Sequence, residues 1–181
     1  NSAFGMNVMG GFGTANRNNA FGSEALYSVN ADDNSAFGYQ ALQLTYGGTA
    51  NLALGNYALR QNVSGNYNVA VGMNAAYNLT SSGAVAVGYE ALKAATTATG
   101  NTAIGYQALL TTISATSGTA VGYQTLRNNT TGYENSALGN SALLNNTTGY
   151  WNSAFGSGAL LSNIGGASNS AYGRAAAIYN T

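Results

Sequence analysis

Apolar and polar positions alternate in short bursts along this chain, and the same burst returns about every 17 residues. In Asn135-Ser136-Ala137-Leu138-Gly139 an apolar residue sits between alanine and glycine, and the pattern restarts at Asn152-Ser153-Ala154-Phe155-Gly156. The repeats align on Gly5, Gly22, Gly38, Gly55, Gly72, Gly88, Gly105, Gly122, Gly139, Gly156 and Gly173. Two residues before each of these glycines stands an alanine, in all eleven copies. Between them lies a larger apolar residue: Phe, Leu, Val, Ile or Tyr. Four residues before the glycine is Asn in nine copies, with Ala84 and Gly118 as the exceptions. Three and four residues after it, Ala recurs in nine copies and Leu in eight. Self-similarity at a short fixed period is the signature of stacked supersecondary units.

Each period reads as two short extended runs separated by corners. Asn-x-Ala-apolar-Gly is the first run; Ala-Leu opens the second. Clusters such as Asn62-Val63-Ser64-Gly65 and Asn146-Thr147-Thr148-Gly149 close the turn, because Gly and Asn tolerate the positive φ that corners require. A helix is excluded: glycine and asparagine leave no ten-residue helical window in the period, and glycine is costly inside helices. The expected fold is all-β: one array over residues 1–181, a parallel β-solenoid or β-roll of about eleven 17-residue turns. At ~4.8 Å per turn the rod is roughly 50 Å long. The two shortened periods, ending at Gly38 and Gly88, are expected to lose a corner residue.

Stacking turns aligns equivalent residues into columns. Asn34, Asn51, Asn68, Asn101, Asn135 and Asn152 form a candidate amide ladder, each side chain bonding the one above; ligand or metal binding is the other reading. The large apolar residues and the Leu column are expected to fill the core. That leaves Ala103, Ala120, Ala137 and Ala154, with the glycines, on the opposite face of the strand. A face of small residues suits close approach by another backbone, and one thin solenoid is short of large core side chains. This face is therefore expected to pack against further copies around a shared axis, as a trimer.

The segments Asn34-Ser35-Ala36-Phe37-Gly38, Asn101-Thr102-Ala103-Ile104-Gly105 and Asn68-Val69-Ala70-Val71-Gly72 resemble the head repeats of trimeric autotransporter adhesins. Related longer-period repeats occur in phage tail-fibre-like proteins. The resemblance runs the length of the chain, although the adhesin repeat is shorter and lacks the Ala-Leu and Thr-Thr-Gly-Tyr parts. It implies a left-handed parallel β-roll with three chains on one axis. It also implies an extracellular, cell-surface or virion setting, and a role as an adhesive or supporting fibre.

Composition narrows the chemistry. The chain has no Cys, His or Pro, and its five Lys and Arg balance its five Asp and Glu. It has no basic footprint for nucleic acid and no apolar run long enough for direct membrane insertion. No nucleophile–base pair is legible, so no enzyme is expected, and no cofactor or metal. Glu24 and Glu90 share a column but lie four turns apart, too far for a carboxylate pair. The binding candidates are aromatic: Tyr89, Tyr106 and Tyr123 on consecutive turns, Tyr39 in the same column, and Gln107 and Gln124 beside them. Aromatic faces with neighbouring amides suit a surface glycan or host receptor; a stacking ladder that stiffens the rod is the other reading. Tyr133 and Tyr150, near Trp151, form a second short column. Asn-x-Ser/Thr sequons begin at Asn62, Asn78, Asn129 and Asn146, among others. Because the repeat runs in register to both termini, the segment is expected to be internal to a longer fibre or to self-assemble end to end into a filament.

Overall fold

The computed structural model describes residues 1–10 and 14–179. Eleven three-residue strands follow one another along the chain, from β1 (Ser2–Phe4) and β2 (Asn19–Phe21) through β3 (Ser35–Phe37), β4 (Leu52–Leu54) and β5 (Val69–Val71). They continue as β6 (Val85–Val87), β7 (Thr102–Ile104), β8 (Thr119–Val121), β9 (Ser136–Leu138), β10 (Ser153–Phe155) and β11 (Ser170–Tyr172). Every strand pairs in parallel with the next, in one sheet whose spatial order is the chain order. The register is uniform: Ala137 lies beside Ala154 and Leu138 beside Phe155, as Ala103 lies beside Ala120 and Ile104 beside Val121. This is a parallel β-solenoid of about 17 residues per turn.

Each turn contains one strand, not two. The Ala-Leu part is a succession of tight turns, because alternate residues adopt left-handed backbone. In the period opened by Gly139 (φ 134), Ser141 (φ 55), Leu143 (φ 52) and Trp151 (φ 55) all have positive φ. Turn-to-turn hydrogen bonding still continues through this segment. The Leu143 N–H donates to the Ala159 carbonyl at 3.0 Å, the Ser141 N–H to Tyr123 at 2.9 Å and the Gly139 N–H to Val121 at 2.9 Å. Backbone polar groups are thus paired between turns even where no strand forms. Leucine is rare with φ above zero; here its side chain is fully buried, and the packing holds the backbone in place.

The strand faces the opposite way from the expectation. Ala36, Ala53, Ala103, Ala120 and Ala154 are completely buried and Ala137 is 2 % exposed. They form one continuous core with the corner alanines and with Leu42, Leu59, Leu109 and Leu143. The large apolar column lies outside instead: Phe4, Phe21, Phe37, Leu54, Ile104, Leu138, Phe155 and Tyr172 are 37–70 % exposed. The reason is volume. The corner leucines already fill the narrow interior, and only a methyl group fits between them and the strand. The alanine column is therefore the inner wall of a single chain, not a face that packs against other chains.

The glycine that ends each strand from β1 to β10 is required twice over, by its positive φ and by the backbone of the next turn. Gly139 has φ 134, and a Cβ built on it would lie 2.7 Å from the carbonyl carbon and oxygen of Gly156 in the next turn.

Candidate functional site

The asparagine column lies inside the rod and ties each turn to the next. Asn34, Asn51, Asn68, Asn101, Asn135 and Asn152 are all buried. The Oδ1 of each accepts the backbone N–H at the same position one turn later: Asn51 from Asn68 at 2.9 Å, Asn68 from Ala84 at 2.8 Å, Asn101 from Gly118 at 2.7 Å. Ala84 and Gly118 keep the backbone donor to the turn before but offer no side-chain acceptor to the turn after, so the column is interrupted at these two positions. Direct amide-to-amide bonds join some of the neighbouring pairs, as from Asn51 Nδ2 to Asn34 Oδ1 at 3.0 Å and from Asn152 Nδ2 to Asn135 Oδ1 at 3.1 Å, while Asn68 Nδ2 turns to the Ser81 carbonyl at 2.8 Å instead.

A second buried asparagine column was not legible in the sequence. Asn62, Asn129, Asn146 and Asn163 occupy it, and Asn146 Nδ2 donates to Asn129 Oδ1 at 2.8 Å. The two columns meet at one carbonyl, where the Gly149 oxygen accepts from Asn135 at 2.7 Å and from Asn146 at 2.9 Å. The sequon asparagines Asn62, Asn129 and Asn146 thus have their side-chain amides buried and engaged. A glycan cannot be accommodated on them in this fold.

Tyr89, Tyr106 and Tyr123 come together as a stack. Successive ring centroids are 5.3 Å apart and the planes lie within 16° and 9° of parallel. Gln107 donates to Glu90 at 2.9 Å, and Gln124 donates to Gln107 at 3.1 Å. Lys93 closes the row with an ion pair to Glu90 at 2.7 Å. Burial pushes the Glu90 carboxyl up, but the hydrogen bonds from Lys93 and Gln107 and the Lys93 charge outweigh it and hold it below the usual carboxylate range. Ring faces and amides on this strip are therefore largely committed to one another. Tyr39 shares the column but not the stack: it meets Tyr57 edge-on at 5.3 Å and 80°. Tyr133 and Tyr150 stack at 4.9 Å, with Trp151 edge-on to Tyr150 at 5.1 Å.

A different arrangement appears two columns over. Tyr57, Arg60, Asn74, Tyr77 and Lys93 line an open cleft of about 570 Å³. The rings of Tyr57 and Tyr77 are 6.3 Å apart and tilted by 53°, so they do not cover each other. The Arg60 guanidinium lies 5.6 Å from the Tyr77 ring centroid. It donates to the Tyr77 hydroxyl at 2.6 Å and to Gln40 Oε1 at 2.8 Å. This cleft is not legible in the sequence, because its members lie in two columns that touch only across turns.

Among the described residues no three His, Cys, Asp or Glu side chains gather where they could hold a metal ion, and no helix is long and apolar enough to cross a membrane. Compared with known proteins, the chain matches no family model, no curated protein and no solved structure.

Proposed function

We propose that this chain is a non-catalytic rod segment of an extracellular, cell-surface or virion fibre, and that copies associate through the large apolar column, three around one axis. The observation that carries the reading is the outer face of the sheet. An apolar residue stands at the same position of every strand from Phe4 to Tyr172, and eight of these eleven are 37–70 % exposed. Taking about 200 Å² for a fully exposed large side chain, the column offers roughly 800–1,000 Å². That exceeds the apolar patches monomers usually leave in water and equals one partner's share of a standard interface. The register never slips, so these residues stay in one unbroken column. The likeness of Asn-Ser-Ala-Phe-Gly to adhesin head repeats supports the same assignment.

The packing surface differs from the one expected from the sequence: the outer column takes the place of the alanines. The function would be mechanical, setting length and stiffness through the turn-to-turn hydrogen bonds and the asparagine columns. Small-angle scattering tests this reading. A three-chain rod has a markedly larger cross-sectional radius than one solenoid at similar length.

A second reading has one observation in its favour. The alanine and leucine columns complete a core within a single chain, so an isolated solenoid is conceivable as a one-chain rod that grows end to end. In scattering it would show a thin cross-section with a length that rises with concentration.

A further inference from the structure

We propose that the cleft between Tyr57 and Tyr77 binds a carboxylate-bearing sugar residue of an acidic glycan. It is formed by three consecutive turns, at the two positions that follow the repeat glycine by two and by five residues. Gln40, Tyr57, Asn74 and Glu90 occupy the first column; Gln43, Arg60, Tyr77 and Lys93 occupy the second. Asn74 is shorter than its neighbours Tyr57 and Glu90, and the gap it leaves opens the cleft.

The cleft's chemistry selects the ligand. Its volume of about 570 Å³ falls within the range of small-molecule sites. Two tilted, half-buried tyrosine rings offer apolar faces to the C–H side of a pyranose. Arg60 carries the charge: it is held by two neutral partners, Gln40 and Tyr77, and no carboxylate lies within ion-pair distance of it among the described residues. A guanidinium fixed in this way presents its remaining N–H groups as a fork that suits a carboxylate. Lys93 adds a second positive charge at the far side, although Glu90 already shares it. The Tyr89–Tyr106–Tyr123 strip lacks these features, since its rings stack on one another and its amides are paired.

The test is calorimetric titration of the full chain with a uronic-acid tetrasaccharide and with the same tetrasaccharide after its carboxyl groups have been reduced to alcohols. The acidic form is expected to bind at least tenfold more tightly. Arg60→Gln is expected to remove that difference. Asn74→Tyr is expected to abolish binding by filling the gap; it should fold, because Tyr57 already occupies the same column with a closely similar backbone (φ 62 at Tyr57, φ 59 at Asn74). Tyr106→Ser is expected to bind like the wild type. Circular dichroism on each variant confirms the fold. Equal affinity for the acidic and reduced forms, undiminished binding by Asn74→Tyr, or no heat with either sugar at millimolar concentration would overturn the proposal. None of these outcomes depends on whether the chains associate.

Discussion

The side-chain amide of Asn135 donates to the carbonyl of Gly149, fourteen residues on, at 2.7 Å, while its Oδ1 accepts the backbone N–H of Asn152, seventeen residues on, at 3.0 Å. One buried side chain thus braces the corner of its own turn and anchors the next. Replacing it with alanine leaves the buried Asn152 N–H without its acceptor, a loss of about 1–3 kcal/mol. For a chain of this size that is roughly a 2–12 °C drop in melting temperature. Asn135→Asp is expected to be worse at neutral pH, because a buried carboxylate cannot donate to Gly149. Its folded-state pKa would be raised, so its stability should recover as pH falls. Thermal melts of both variants at pH 7 and pH 4 measure this.

Gly139→Ala should be among the most damaging single changes. It forces a side chain into φ 134 and into contact 2.7 Å from the Gly156 backbone, and unfavourable backbone alone costs about 1–3 kcal/mol. Gly47→Ala is the control, since a Cβ there meets no atom within 4 Å. Denaturant titration should find Gly47→Ala within about 0.5 kcal/mol of wild type and Gly139→Ala far below it.

Ala103→Leu and Ala137→Leu push extra volume against the buried leucine column and should each cost about 1–3 kcal/mol. Thr147→Ala, at an exposed corner, removes only a hydrogen bond to the Ile164 carbonyl and should cost much less. Similar melting temperatures for the two kinds of variant would show that the interior is not closely filled.

How much of this was readable in the sequence follows from parity and spacing. The period, the all-β class and the first asparagine column were legible, because residues such as Ala137 and Asn135 recur in strict register with those a turn away. The facing of the strand was not. Alternation in Ser136-Ala137-Leu138 is equally consistent with either side inward, and the usual preference for burying the larger residue points the wrong way here. The deciding fact was the left-handed backbone of the Leu143 column, which turns those leucines inward and uses up the space. The second asparagine column was hidden because Thr45, Leu79, Ala95 and Thr112 interrupt it and because its members sit in turn-like clusters. The Tyr57–Tyr77 cleft needed three-dimensional adjacency between two columns.

Acid should weaken the rod at Glu90. Its carboxyl is held below its ordinary value by Lys93 and Gln107. The stabilisation is therefore present above the unfolded carboxyl pKa of about 4.3 and is lost as pH falls from there through the lower folded value. Wild type is expected to lose more melting temperature between pH 6 and pH 3 than Glu90→Gln, which has no charge to lose. An identical slope in both would show that the ion pair contributes nothing.

The outer apolar column is proposed as the interface between copies. It is tested most directly by light scattering of the eluting peak for wild type and for the triple variant Ile104→Asn, Val121→Asn, Leu138→Asn. All three residues point away from the core, so the variant should keep the wild-type circular dichroism. Wild type is predicted to elute at three times the 18.3 kDa chain mass, and the variant to fall toward a single chain. A wild type that stays at one chain mass across the accessible concentration range would rule out this interface.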